Sequence, residues 1–453
     1  MNDVRDGEPG TGPAEGAGPG PGDAVAVIGS GIAGLAAAHV LQRGGRRVTL
    51  FEADARLGGH AHTHALPAEA DGTGTAMVDS GFIVHNRRTY PNLLRLFAEL
   101  GVATRPSEMS MSVSCAGCGL EYAGARGAAG LLPGLRSRNP GSYLRMLAEV
   151  PVFGRAARRL LEAAPRQRTG VPAAAPGEPT LGGFAAAARL SGYFTAHYLV
   201  PLVSAVWSCP PGTALRYPAR YLFAFLDHHG MLEPAGSPRW RTVEGGSARY
   251  VDAVAARLHR VRPSSRVEAV RRTAGGVRVR AAGRPAEEFA AAVVAAHPGQ
   301  ALALLERPTR AQREVLGAFR YSRNEAVLHA DPGVMPRDRR AWASWNHRLP
   351  SCSPDGGPVQ VSYHMNRLQR LPGSRPHFVT LNAAPGTVPE GRTAARMVYE
   401  HPVYTPETLA AQRRLPEADD GPIVLAGAYH GWGFHEDGCR SGAAAAARLG
   451  VRW

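Results

Sequence analysis

AVAVIGSGIAGLAAAHVLQRGGRRVTLFE, residues 24–52, decides the fold. The apolar run at 24–28 suits a strand buried on both faces. Gly29, Gly31 and Gly34 follow at GxGxxG spacing, and residues 32–41 have helical composition before Gly44-Gly45 stops them. A second apolar run at 48–51 closes on Glu52. Each position has a physical task. Gly29 permits the tight turn, Gly31 lets the backbone approach a pyrophosphate, and Gly34 lets helix and strand pack closely. The helix N-terminus faces the anion. Glu52, eighteen residues after Gly34, stands where a carboxylate would hold a ribose hydroxyl. Ser30, Ala33 and Ala53 complete this contact set. The fingerprint alone leaves FAD and NAD equally open.

Around that stretch lies a chain of 453 residues, 44% hydrophobic and 20% charged, which is globular composition for two or three domains. No apolar run approaches the roughly 18 residues of a membrane span, which excludes an integral helical membrane protein. Residues 1–22 lack the basic start and apolar core of a secretory signal and read as a disordered leader. The formal charge is +15 and the chain has no lysine, so every fixed cation is arginine. Part of that excess reflects GC-rich coding; the rest predicts attraction to anionic partners such as phospholipid or an acyl carboxylate. No nucleic-acid motif is present. Five cysteines, an odd number, fit a reducing cytoplasm better than a disulfide framework. Cys115 and Cys118 form a CxxC in SCAGCGLEY. With no second CxxC to complete a zinc set, the expectation is a hairpin turn carrying free thiols and no metal site.

Residues downstream of the fingerprint resemble those of the flavin-containing amine oxidase and phytoene desaturase superfamily. Arg56-Leu-Gly58-Gly59-His60 is similar to the extension that runs along the FAD pyrophosphate and ribityl chain, and Asp79-Ser-Gly81-Phe82 to the element that reaches the flavin. Gly245-Gly246 resembles the family's turn into a helix, and Arg266-Val267 the strand whose backbone holds the adenine. At the other end, Gly427-Ala428-Tyr429 with Phe434-His435-Glu436-Asp437-Gly438 resembles the C-terminal flavin motif, where a helix N-terminus meets the pyrimidine edge. The resemblance implies non-covalent FAD, with NAD(P)H as an electron partner. It also implies a Rossmann-type, glutathione-reductase-like α/β domain under a discontinuous α+β substrate or cap domain. The flavin motifs then divide the chain into an FAD-binding domain at 23–81, 236–300 and 418–453, and a cap at 82–235 and 301–417.

Stretches such as Trp207-Ser-Cys209-Pro-Pro211 and Tyr363-His364-Met-Asn366 are similar to a bacterial branch of predicted NAD/FAD-binding oxidoreductases. Genes of that branch tend to neighbour lipid methyltransferases of the cyclopropane-fatty-acid synthase type. This implies an unsaturated or branched fatty acyl substrate, peripheral contact with an anionic membrane at the cytoplasmic face, and a methyltransferase partner. The lysine that amine-oxidising members often hold near the flavin cannot exist here, and Ala428 replaces their usual acid. Amine oxidation and a non-catalytic flavoprotein scaffold are the alternatives.

The catalytic candidates are Tyr429 and Trp432, as an aromatic wall or as core, and His435 and Glu436, as proton carriers or helix caps. His364 follows them. His60, His62 and His64 alternate and would share one face of a strand, as loop contacts to flavin rather than a metal site. Asp227-His228-His229 reads as a solvated helix end, with a general base as the alternative. The cap is expected to hold helices at 91–100, 143–164 and 184–204, strands within 109–122, 324–329, 359–364 and 377–381, and a loop at 165–179.

Overall fold

A computed structural model describes residues 24–163, 178–232, 236–353 and 360–453. The leader and nearly all of the loop expected at 165–179 lie outside the described residues. Strand β1 (Ala24–Ile28), helix α1 (Ile32–Arg43) and strand β2 (Arg47–Phe51) form a parallel βαβ unit. β1 sits at the centre of a five-stranded parallel sheet in the order Arg260–Arg262, β2, β1, Ala291–Val294, Ile423–Leu425. These strands come from three remote parts of the chain. The four strands other than the edge strand Arg260–Arg262 are short, mainly apolar runs, as a sheet covered on both faces requires.

One face of the sheet carries α1 and the C-terminal helix, His435–Arg448, within a core that includes Leu35, Leu41, Val48, Val293 and Cys439. Helix α2 (Pro91–Leu100), counted with the cap by its place in the sequence, puts Leu93, Leu96 and Phe97 into this same core. The other face is covered by a three-stranded antiparallel sheet beginning at Val267–Thr273 and by helices Pro298–Leu304 and Arg310–Gly317.

A second sheet has seven strands, in the order Thr393–Val403, Arg320–His329, Phe378–Leu381, Gln360–His364, Trp345–Leu349, Met111–Cys115, Leu120–Tyr122. Its one parallel pairing among the described residues, Met111–Cys115 on Trp345–Leu349, joins the two cap segments. Helices Pro140–Glu162, Leu181–Ala187, Val200–Trp207 and Ala219–His228 pack beside it around Phe153, Phe194, Phe223 and Trp207.

The helix expected at 184–204 is broken. Arg189 turns left-handed at φ 52°, and the Ser191 hydroxyl caps a new start by accepting from the Phe194 N–H at 3.0 Å. Residues Thr195–Leu199 then form a π turn. Pro201 has no N–H to give the His197 carbonyl four residues back, and the Tyr122 hydroxyl donates to it instead, at 2.9 Å. The other expected cap elements lie close to their bounds, and strands Trp345–Leu349 and Thr393–Val403 join them unanticipated.

Candidate functional site

The fingerprint residues behave as their spacing requires. Gly29 sits at φ 98°, and a Cβ on Gly34 would fall inside the Gly29 carbonyl. Gly31 differs: its φ is −63°, and a Cβ there would meet nothing within 4 Å. No side chain caps the α1 N-terminus behind it. Glu52 accepts from the Ser30 N–H at 2.9 Å and the Ser30 hydroxyl at 2.6 Å, while Ser30 Oγ accepts from the Gly58 N–H. Ala53 is exposed beside it. The Ser265 N–H bonds the Glu52 carbonyl, which brings the start of the Val267 strand to the same edge.

Arg56 donates to the Leu57, Gly59 and Ala61 carbonyls, winding the Gly58-Gly59 loop around its guanidinium. Gly59 thereby rests on Gly31, with a hypothetical Cβ 3.2 Å from the Gly31 Cα. Gly81 lies against the His60 carbonyl, to which the Phe82 N–H donates at 2.7 Å.

The C-terminal motif closes on this frame. A Cβ on Gly438 would meet Ile32, and one on Gly442 would meet the backbone of Ala33 and Ala37. The two helices therefore run parallel and in close contact, with both N-termini at the same end. Two positive helix ends converge there, the electrostatics an elongated pyrophosphate-bearing ligand needs. Gly427 is tied in through its N–H to Ser441 Oγ at 2.9 Å. His60 Nε2, His430 Nε2 and Trp432 Nε1, all on these segments, are buried without a partner among the described residues. Unsatisfied buried polar atoms cost about 1–3 kcal/mol each, so polar groups of a ligand fit them. An FAD would be held by the α1 end, Glu52, the Gly58-Gly59 loop and the C-terminal helix.

Asp79 is the buried hub of the frame. Its carboxylate accepts from Thr63 Oγ1, the Ser247 N–H and hydroxyl, and Gln369 Nε2. Burial nevertheless pushes its pKa up to about 6. The Gly245-Gly246 turn, the early strands and the cap thus meet on one side chain, whose sequence signal was only the acid-x-Gly resemblance.

The catalytic candidates do not form one group. Tyr429 packs edge-on to Phe319 in the core under the parallel sheet, whereas Trp432 points into the helical cap beside Phe225 and His228. They make no common wall, because Tyr429 lies on a tight turn that folds it back over Gly427. His435 stacks on Phe82 at 3.7 Å, and its Nε2 meets Tyr250 Oη at 3.1 Å. Burial takes its pKa down to about 3, so it is neutral at pH 7. Glu436 caps α2 and not its own helix, accepting from the Asn92 and Leu93 N–H groups at 3.0 Å each and from Asn92 Nδ2 at 2.6 Å. Asp437 accepts from the Trp432 and Phe434 N–H groups and pairs with Arg440. His364 is set apart: it shares a register row with Phe378 and His329, on the opposite sheet face from Tyr363.

His62 and His64 share a face with ring centroids 4.0 Å apart, and all three histidines gather around Tyr399, His64 through the Ser80 hydroxyl. His62 reaches Tyr399 Oη, His64 reaches Ser80 Oγ, and His60 faces Tyr399 and His401. Cys115 and Cys118 carry free thiols on a β-hairpin, as expected, but they are not alone there. Among the described residues, Cys115, Cys118, His197 and Cys352 bring four ligand atoms within 4.8 Å of one another. The sequence concealed this because His197 and Cys352 join from other elements.

Beside Trp432 opens a cleft of about 220 Å³, lined by Tyr90, Phe225, Trp432 and Phe434 with Arg88 and Arg440. Phe434 stacks on Phe225 at 4.7 Å. His228 and His229 both line this cleft; Asp227 and His228 are exposed as expected of a solvated helix end, while His229 is buried against Trp240.

The sequence family described as flavin containing amine oxidoreductase matches residues 32–330. A carotenoid phi-ring synthase of Streptomyces griseus is 44% identical over 86 residues, 18% of this chain and 16% of that one. An L-amino-acid oxidase of Siganus canaliculatus is 50% identical over 40 residues, 9% of this chain and 8% of its own. The matches thus span under a fifth of either relative. Among solved structures, cyclohexylamine oxidase from Brevibacterium oxydans IH-35A superposes with a TM-score of 0.65 at 17% identity, covering 94% of this chain and 98% of that one. A CLA-producing fatty acid isomerase from P. acnes gives 0.65 at 14% identity with the same coverage. At these identities the likeness concerns the fold. No helix among the described residues is long and apolar enough to cross a membrane.

Proposed function

The chain belongs to the flavin-containing amine oxidoreductases, and from that premise we propose that it is an FAD-dependent oxidoreductase acting at a carbon–carbon bond of an unsaturated or branched fatty acyl chain. The cleft beside Trp432 carries the reading. Its walls are aromatic, and guanidiniums of Arg88 and Arg440 stand among them. Its two carboxylates, Glu436 and Asp437, are turned onto backbone N–H groups. Such a cleft favours an apolar tail with an anionic head over an ammonium. The fold shared with a fatty acid isomerase is compatible with that class.

Bound flavin supplies hydride exchange with carbon. The chain's own residues orient and exclude water. Tyr90, Phe225, Trp432 and Phe434 hold the chain flat and dry, and Arg88 can meet a carboxylate or phosphate. Partial burial of its ring and the nearby Arg88 and Arg440, opposed by Asp227, hold His228 below the ordinary histidine value, and it offers the cleft a proton acceptor. Peripheral contact with anionic lipid, through the arginine excess, and a lipid methyltransferase as source of the acyl chain extend the same proposal. NAD(P)H is its electron partner if the reaction is a reduction.

Anaerobic mixing of purified holoprotein with unsaturated phospholipid or free fatty acid, with and without NADPH, tests it. Flavin bleaching, or a moved or reduced double bond in the recovered lipid, is the expected result. Bleaching by amines alone would replace it with amine oxidation. No turnover with either, alongside stable co-purification with a methyltransferase, would replace it with the scaffold role.

A further inference from the structure

The geometry points to a structural zinc site in the cap, held by Cys115, Cys118, His197 and Cys352. A Cys₃His set is an established zinc donor set, and soft thiolates with one imidazole select that ion among the common divalent metals.

The distances fit a tetrahedron. With zinc–sulfur bonds of about 2.3 Å, the edge between two sulfurs is about 3.8 Å, and a sulfur–nitrogen edge is slightly shorter. Cys115 Sγ and Cys352 Sγ stand 3.7 Å apart, and Cys118 Sγ and His197 Nε2 stand 3.6 Å apart. All four donor atoms lie within 4.8 Å of one another.

The surroundings are arranged as an outer shell. His197 Nδ1 lies 3.1 Å from the Tyr193 carbonyl and so donates to it, which fixes the tautomer that leaves the Nε2 lone pair for metal. The Tyr193 ring stacks on the His197 imidazole at 4.0 Å, and its hydroxyl lies 3.7 Å from Cys118 Sγ. Gly119, directly after the second cysteine, takes φ 70°, which turns the hairpin back beneath its thiols. At Gly117 a side chain would press on the backbone of Ser351 and Cys352, so the glycine lets the third thiol approach. The π turn that presents His197 is the one set up by Pro201, an irregularity of the kind often found at functional sites.

The site joins three parts of the cap. Cys115 and Cys118 belong to the hairpin at the sheet edge, Cys352 to the segment after Trp345–Leu349, and His197 to the helical layer. Helix Val200–Trp207 begins directly after that π turn, and at its far end Trp207 Nε1 donates to the Trp432 carbonyl at 3.3 Å. Zinc would therefore anchor the helix that supports the cleft, without touching the cofactor frame.

The test is elemental analysis of the full-length holoprotein after zinc loading and desalting, with X-ray absorption at the zinc edge. One zinc per chain is expected, with a mixed sulfur and nitrogen shell at about 2.3 and 2.0–2.1 Å. Cys352 is exposed, so Cys352→Ser leaves the core intact. That variant should lose zinc to a chelator at least about tenfold faster while keeping its flavin. Cys118→Ser should do the same at a buried position, with flavin absorbance as the check on folding. A zinc-free protein would overturn the proposal. So would a Cys115–Cys352 disulfide found by peptide mapping, or zinc retention unchanged in both variants.

Discussion

Two neighbouring glycines of the fingerprint should fail in opposite ways when given a methyl group. In Gly34→Ala the new Cβ enters the Gly29 carbonyl and comes within 3.2 Å of Ala295 Cβ, so α1 must lift off the turn or the turn must deform. Overpacking of this kind costs about 1–3 kcal/mol, and backbone on the receiving side places it at the upper end. In Gly31→Ala the Cβ meets no protein atom within 4 Å, and φ −63° suits alanine. Loss of a favourable N-cap residue and reduced freedom of the unfolded chain are each of order 0.5–1 kcal/mol and opposite in sign, so apoprotein stability should barely change. That methyl does occupy the space over the α1 N-terminus. Displacing an anion there sacrifices a charge-assisted hydrogen bond and part of the helix-end interaction, about 2–4 kcal/mol together, or roughly 30- to 1,000-fold in FAD affinity. The assay pairs thermal unfolding of the apoproteins with flavin bound per chain on titration. Gly34→Ala should melt lower, and Gly31→Ala should melt like the parent yet bind FAD poorly. A Gly31→Ala protein with parental FAD affinity would refute the placement of the pyrophosphate over α1.

Other outcomes follow from the buried titratable groups and the cleft. Burial lowers His85, His347 and His401 to about 4 and His430 and His435 to about 3. An unfolded chain therefore binds more protons than the fold below about pH 6.5, and stability should fall on acidification down to about pH 4. Asp79 and Asp437, raised to about 6, work in the opposite sense between about pH 6 and 4 but are fewer. Two uncompensated histidines already cost about 3 kcal/mol per pH unit, measurable as a denaturant midpoint across pH 7 to 5; a flat profile would contradict it. Glu436→Gln replaces one acceptor facing α2 with an amide donor, so it should destabilise by about 1–3 kcal/mol in chemical denaturation without abolishing turnover, whereas loss of turnover at parental stability would make Glu436 a proton carrier. Arg88→Gln should weaken binding of an anionic acyl ligand about three- to tenfold, with the difference shrinking at high salt, and should leave an uncharged acyl analogue unaffected.

What this chain's sequence settled by itself was local. A strand, a turn with no room at Gly34, a helix and a closing acid must follow one another within thirty residues, so the βαβ unit is legible without partners. The cap strands within 109–122, 324–329, 359–364 and 377–381 were readable from their own short apolar or alternating runs, whereas Trp345–Leu349 and Thr393–Val403 were not. The tertiary structure decided whatever depends on groups remote in sequence. Glu436 has a cap's chemistry, but only the fold could show that the helix it caps starts at Pro91. Tyr429 and Trp432 are three residues apart, yet one tight turn sends them into different cores. Cys115 and Cys118 look like half of a ligand set because the other half, His197 and Cys352, arrives on a π turn and on the segment following a neighbouring strand. Periodicity and spacing record the constraints a segment meets along its own backbone; a side chain's partner across hundreds of residues is chosen by packing, which leaves no local trace.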